Sequence, residues 1–231
     1  MFLINCYNII KSLLIFNKNN PIFRMLFTFF YFYKHRQSLK KCLIYHKVNY
    51  EVNSKEVLPM EFNVDQVTLL ELDSLKVNKI KILILDYDGV LSSYGESQPL
   101  PEVINWLERA ILIFGPRKIF IFSNNPSLSR KEFLDKYFNE KIIFVISQPK
   151  PYTDGIEYIK KYLLLEFGET PINSEILLID DRLATGILAA KIADIASCLI
   201  LKPYINIQKK FIVEIVFIMF RKFERLILCR S

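Results

Sequence analysis

The chain has 231 residues, 52% of them hydrophobic and 24% charged, which suits one α/β domain with an extension and excludes a disordered or collagen-like polymer. Its net charge of +7 is unevenly placed: residues 1–50 hold eight Lys/Arg and no acid, residues 202–231 a net +5, and residues 51–201 a net −6. Basic apolar ends around an acidic, well-patterned centre exclude a uniformly basic nucleic-acid binder, so no nucleic-acid partner is expected.

The four cysteines (Cys6, Cys42, Cys198, Cys229) form no CxxC pair, and the histidines are His35 and His46. Zinc sites of the usual spacing and a disulfide framework are thereby disfavoured, and a reducing compartment fits. Residues 51–231 hold no histidine, so Ser-His-Asp and Cys-His chemistry is excluded there.

Residues 21–33, PIFRMLFTFFYFY, form the first strongly apolar run. As a helix it reaches roughly 20 Å, short of the ~30 Å hydrocarbon core, and polar residues flank it on both sides. Two readings stay open: a helix in the membrane interface with Lys and Arg at the headgroups, or a helix packed on the domain. Residues 51–79 read as a connector with a short helix near 64–76.

From residue 80 strands and helices alternate. KILILD (81–86), KIFIFS (118–123), KIIFVIS (141–147), EILLID (175–180) and SCLILK (197–202) are apolar runs of strand length. Between them, helices are expected over 101–114, opened by Pro101 and stopped by Gly115-Pro116, then over 127–138 with Arg130, Lys131 and Glu132 outward, and over 153–167 and 184–193. This order predicts a doubly wound, Rossmann-like parallel sheet with helices on both faces. After it, Phe211, Ile215, Ile218, Phe223 and Leu226 suggest the apolar face of a basic amphipathic C-terminal helix, too short and too interrupted by Glu214 to span a bilayer; packing on the core and docking on a membrane both stay open for it. The plan is an apolar basic N-terminal extension (1–50), a connector (51–79), a core (80–204) and a C-terminal helix (205–231).

In such sheets ligands bind beyond the carboxyl ends of the strands. Those ends carry Asp86-Tyr87-Asp88-Gly89, then Ser123-Asn124-Asn125, then Lys150, then Asp180-Asp181. A carboxylate on a rigid strand end can attack phosphorus, and a second one two residues on can protonate the leaving oxygen. Asp88 lies two residues on from Asp86, on the same side of an extended strand, and Gly89 can permit a turn just after it. Paired carboxylates repel a phosphate dianion, so a divalent cation is required, and oxygen ligands select Mg²⁺. Asp181 can supply a further ligand, Ser123, Asn124 and nearby N–H groups can bind the phosphate oxygens, and Lys150 can neutralise the transferring charge.

These motifs resemble those of the haloacid dehalogenase phosphatase superfamily: DYDGVL, Ser123, Lys150 and Asp180-Asp181 stand in the places of its four motifs. The resemblance implies Asp86 as nucleophile, Asp88 as acid/base, and Mg²⁺ held by Asp86, the Asp88 main-chain carbonyl and Asp181. LDYDGVL, the helix ending in Trp106-Leu107, FSNN, QPKP, IDDRLATGILAAK and FRKFERLIL are more closely similar to subclass IIIA, the mitochondrial-type phosphatidylglycerophosphate phosphatases. The similarity covers about residues 60–228. There is one departure. That family reads Gly-Asp-x-x-x-Thr-Asp, whereas this chain has Asp180 in the place of the Gly and Gly186 in the place of the last acid. Asp180 is expected to support the metal instead.

The intervals between motifs, Asp88 to Ser123 and Ser123 to Lys150, each hold one helix and one strand, leaving no room for the cap domain by which this superfamily selects small substrates. An open site suits a lipid phosphate at an anionic membrane surface, with the enzyme cytoplasmic and peripheral on the inner face. The alternatives are a phosphatase of phosphoproteins or soluble esters, and a non-catalytic binding protein that has kept the fold.

Overall fold

The structure, a computed structural model, describes residues 21–44 and 60–230. Its six strands are β1 (Glu61–Val64), β2 (Ile82–Leu85), β3 (Ile119–Ile121), β4 (Ile142–Phe144), β5 (Ile176–Asp180) and β6 (Ala196–Ile200). They form one parallel sheet in the order β1-β6-β5-β2-β3-β4. Its helices are α1 (Pro21–Lys34), α2 (Arg36–Ile44), α3 (Leu72–Val77), α4 (Pro101–Phe114), α5 (Leu128–Tyr137), α6 (Asp154–Phe167), α7 (Leu188–Ile192) and α8 (Ile207–Arg230).

The strands read as unbroken apolar runs because both sheet faces are covered. Alternate residues of β2 go to opposite sides: Leu83 and Leu85 join Val103, Trp106 and Leu107 of α4, while Ile82 and Ile84 join Ile156, Ile159 and Leu163 of α6. β5 divides the same way, with Leu177 and Ile179 on the α4 side and Ile176 and Leu178 on the α6 side. This is the expected doubly wound sheet, with no domain inserted between β2 and β4. Pro101 opens α4, as expected, since its missing N–H is one that a helix start leaves unpaired anyway.

Two elements differ from the expectation. Residues 61–64 form an edge strand beside β6 where a connector is expected, and helix forms only over 72–77, after a short 3₁₀ turn at Val67–Leu69. Glu61-Phe62-Asn63-Val64 has no apolar run to announce a strand. Asn63 is nevertheless buried, where its Nδ2 donates to the Cys42 carbonyl at 2.5 Å while its Oδ1 has no hydrogen-bond partner among the described residues.

Helix α1 packs one face on the domain and leaves the other exposed. Phe27, Tyr31 and Phe32 pack with Leu39 and Cys42 of α2 against Leu183, Leu188 and Leu228, whereas Ile22, Met25, Phe29 and Tyr33 stay exposed. The rest of the 1–50 extension lies outside the described residues. Cys42 and Cys198 are buried and form no disulfide, and burial pushes the Cys42 thiol up to about 11, which keeps it inert.

α8 turns its polar stripe inward: Glu214, Phe217, Arg221, Glu224 and Leu228, spaced three and four apart, face the domain, with Glu214, Glu224 and Leu228 buried. Of the apolar face, Phe211, Phe223 and Leu226 are exposed and Ile215 and Ile218 half-buried, and Ile212, Met219 and Phe220 are exposed as well. The cause is electrostatic: Glu224 accepts hydrogen bonds from Arg182 (2.6 and 2.8 Å) and from the Leu183 N–H (2.9 Å), and Arg221 reaches Asp181. Charges that find such partners hold the helix against the domain by its polar stripe. Among the described residues no helix is long and apolar enough to cross a membrane.

Candidate active site

The N–H of Asp86 donates to the Ile179 carbonyl at 2.9 Å, so the sheet ladder continues one residue past β2. Leu85 lies opposite Ile179 of β5 and Ile121 of β3, which brings Asp86, Asp180 and the start of the Ser123 loop to one edge. β4 is not a neighbour of β2, and Lys150 must reach the site from its loop. Asn124 fixes that reach: the Lys150 N–H donates to its Oδ1 at 2.6 Å, and its Nδ2 donates to the Lys150 carbonyl at 3.0 Å. Asn124, expected to bind substrate, therefore has its amide committed to placing Lys150, although it still lines the pocket.

The Lys150 ammonium lies 3.0 Å from Asp86 Oδ1 and 2.5 Å from Asp180 Oδ2. Asp180 Oδ1 accepts from the Arg182 N–H at 2.8 Å and the Thr185 hydroxyl at 3.4 Å. Asp180 is thus the fully bonded counter-ion of Lys150. One oxygen each from Asp86, Asp180 and Asp181 lie within 4.8 Å of one another, inside the roughly 6 Å that two carboxylates can span to share a cation.

Asp88 lines the same pocket, and Gly89 turns the chain just after it with φ +82°. A Cβ at Gly89 would also lie 2.7 Å from Asp181 Oδ2, so the close approach of these two loops needs glycine twice over. The Asp88 carboxylate accepts the Arg130 guanidinium in a fork, at 2.6 and 3.0 Å, and the Gly95 N–H at 2.8 Å. Arg130, expected to point outward, is instead 1% exposed. Its head lies over the Tyr87 ring and also donates to the Glu96 and Asn125 carbonyls, joining three loops through one side chain. Ser123 is buried at the pocket wall, where its Oγ accepts the Asn125 N–H at 3.2 Å.

Burial pushes the Asp86 carboxyl well above its usual range, and Asp180, Asp181 and Asp88 add to the rise while Lys150 opposes it. Burial raises Asp181 to about 6 against the pull of Arg221. For Lys150 burial acts downward, but Asp180 and Asp86 together outweigh it and hold the ammonium above its ordinary value. Three buried carboxylates against Lys150 and Arg221 leave an excess of negative charge, a donor set compatible with a divalent cation.

The sign of the pH dependence follows. Folded Asp181 keeps its proton to about pH 6, whereas the unfolded side chain loses it near its ordinary 3.8. The stability this group contributes therefore falls as pH rises between those values. A cation needs the ionised form, so the rise in Tm that Mg²⁺ causes over EDTA should be larger at pH 7.5 than at pH 5. Asp181→Asn should flatten that difference, as thermal denaturation at the two pH values would show.

The pocket above these groups has a volume of about 180 Å³ and is lined by Asp86, Asp88, Ser123 and Asp181 on the strand side. Phe217 and Arg221 of α8 form its outer wall, with Tyr94 beside them. Sequence patterning missed Arg130 and Arg221. No signal in the sequence marks either, because each is placed by a carboxylate 40 or more residues away.

A family model described as mitochondrial PGP phosphatase matches residues 45–203, well over half of the chain and including every strand; α8 lies beyond the match. No curated protein and no solved structure matches it. With the match covering the whole sheet and the strand-end acids converging as such an enzyme needs, the chain belongs to the mitochondrial PGP phosphatase family: it is a phosphatase, a phosphoric monoester hydrolase, of a family acting on phosphatidylglycerophosphate.

Proposed function

We propose that this protein hydrolyses phosphatidylglycerophosphate at an anionic membrane surface in two steps, through a phosphoryl group carried on Asp86. The observation that supports it most is the meeting of Asp86, Asp181 and Lys150 at the carboxyl edge of a family-matched sheet. Asp86 attacks the terminal phosphorus and the P–O bond to the glycerol breaks. Asp88 gives a proton to the leaving alkoxide and later takes one from the water that attacks the aspartyl-phosphate, releasing phosphate and freeing the Asp86 carboxylate. Arg130 aims Asp88 at the pocket, and one of its two bonds must yield to the leaving oxygen for this transfer. Lys150 and the Ser123 hydroxyl hold the phosphoryl oxygens where charge grows.

Mg²⁺ is the cation this donor set favours, held by Asp86, Asp181 and the Asp88 main-chain carbonyl. It neutralises phosphate charge when bound. Asp180 adds negative potential beside it and keeps Lys150 in place.

The exposed apolar faces of α8 (Phe211, Ile212, Met219, Phe220, Phe223) and α1 (Met25, Phe29, Tyr33) are read as lipid-facing. Lys222 is exposed on α8 and Lys209, paired with Glu96, is exposed near its start, so a bilayer with anionic headgroups complements the apolar face and these cations. This fits a protein peripheral on the inner face of a membrane, with a wall of its active site set at the lipid surface.

The test is phosphate release from phosphatidylglycerophosphate in anionic vesicles, with Mg²⁺ and with EDTA, beside soluble phosphomonoesters and a phosphopeptide. Mg²⁺-dependent release that is fastest from the vesicles is expected. Faster release from the phosphopeptide or the soluble esters would favour those substrates instead, and no release from any would point to a binding protein.

A further inference from the structure

Glu224 is a buried carboxylate on α8 to which the reaction above gives no part. Its Oε2 accepts the Leu183 N–H at 2.9 Å, and its Oε1 accepts Nε and Nη2 of Arg182 at 2.8 and 2.6 Å. One side chain thus holds the two residues that follow Asp181, from 41 residues further along the chain. It stands beyond the residues that the family model matches.

The residues after Asp181 explain why an outside carboxylate is needed. Leu183 opens a turn over 183–187 that runs on into α7, and Arg182 stands before it with extended backbone, φ −121° and ψ 124°. From that place an Asp, Ser or Thr would ordinarily accept one of the unpaired N–H groups of a helix start. A guanidinium has no acceptor, so Arg182 cannot do so. The turn is also a wide one, closed by the Ile187 N–H on the Arg182 carbonyl at 3.3 Å. Glu224 supplies the acceptor, and its charge suits the positive end of the helical run that begins there. On the other side, Asp180 Oδ1 accepts the Arg182 N–H at 2.8 Å. Asp181 therefore stands between the end of β5 and a backbone that Glu224 holds. We propose that Glu224 is a positioning residue for the cation site: by fixing Arg182 and Leu183 it keeps the Asp181 carboxylate within reach of Asp86. This rests on the reading of Asp181 as a cation ligand and adds that the C-terminal helix completes the site. Groups that orient a metal ligand from behind are typically worth about 10–100-fold in metal affinity.

The experiment titrates the full chain with Mn²⁺, without substrate, and reads the free ion by electron paramagnetic resonance. Circular dichroism in EDTA checks that each variant is folded. Glu224→Asp keeps the charge but is one methylene too short to hold both residues, and should weaken Mn²⁺ binding by about 10–100-fold. Glu224→Gln keeps the reach and an oxygen for the Leu183 N–H, and should weaken it less. The reverse order would mean that Glu224 acts by neutralising Arg182 rather than by placing Asp181, and would overturn the proposal. Wild-type affinity in both variants would overturn it as well.

A second measurement needs no variant. If the Glu224 contact favours cation binding, the cation must favour the contact by the same factor. Mg²⁺ should therefore slow hydrogen exchange of the Leu183 amide in the wild-type chain, read by nuclear magnetic resonance against EDTA. Unchanged or faster exchange on adding Mg²⁺ would overturn the assignment even if the variants failed to fold. Neither readout depends on turnover, so loss of phosphate release alone would count against the phosphatase reading. A wild-type chain that binds no Mn²⁺ would overturn the cation reading and the proposal with it.

Discussion

Asp86→Asn should lower kcat by at least about a thousandfold while the protein stays folded. The size of the loss follows from removing a nucleophile that acts as a unit with its partners. An amide of nearly the same volume cannot attack phosphorus, and Lys150 then faces one carboxylate where it had two. Stability should change by no more than about 1 kcal/mol. Burial already disfavours the charged form of Asp86, and Lys150 keeps its 2.5 Å contact with Asp180. The check is phosphate release beside chemical denaturation. Retention of wild-type turnover would remove Asp86 from the reaction, and loss of turnover with loss of the fold would make it a structural residue.

The second large effect concerns Asp180 and Gly186. In the family pattern this chain resembles, the acid stands at the position of Gly186 and glycine at that of Asp180. The two residues touch: a Cβ built at Gly186 would overlap the Asp180 carboxylate. An acid therefore fits at one position or the other, and the exchange is steric as well as electrostatic. Gly186→Asp alone should be severe, about 3–5 kcal/mol, because it forces a fourth carboxylate into filled, buried space. Asp180→Gly alone should cost about 10–100-fold in activity, since Lys150 loses its closer counter-ion and the loop loses the hydrogen bonds to Arg182 and Thr185. Joining the two should recover much of both losses, with a coupling far outside additivity. Urea denaturation and phosphate release on the four proteins of this cycle would measure it. If the double variant is as poor as the sum of the singles, Asp180 does not stand in for the missing acid.

How far the sequence carried this account depended on where each residue's partners lay. Strands β2 to β6 were legible because a strand covered on both faces must be apolar throughout, and Ile82–Leu85 or Ile176–Ile179 can hardly be read otherwise. The strand-end residues followed from them, since in such a sheet position at a carboxyl end already implies convergence. β1 was hidden because an edge strand of four residues with a buried, bonded asparagine carries no pattern.

Apolar spacing alone leaves two roles for α8, packing its apolar face on the core or docking it on a membrane. Which face turns inward depends on Glu214, Arg221 and Glu224, whose partners Tyr94, Asp181 and Arg182 lie far off in sequence. Arg130 pairs with Asp88 across 42 residues in the same manner. Periodicity reports the average environment of a helix face. It does not report a charge whose partner comes from another loop, and those charges are what set Asp88, Asp181 and the pocket wall in place.

The central claim is that phosphate passes through Asp86, and trapping that species tests it most directly. Wild type and Asp88→Asn would be mixed with phosphatidylglycerophosphate and Mg²⁺, quenched within milliseconds to seconds, and reduced with borohydride. An acyl phosphate on aspartate is reduced by it to homoserine with loss of the phosphate, and the change can be read in the peptide by mass spectrometry. Homoserine is expected at position 86 of the wild type, dependent on substrate and on Mg²⁺, and in Asp88→Asn only when an aryl phosphate, whose leaving group needs no proton, replaces the lipid. Rapid phosphate release with residue 86 unmodified at every quench time, or homoserine at another aspartate, would contradict it.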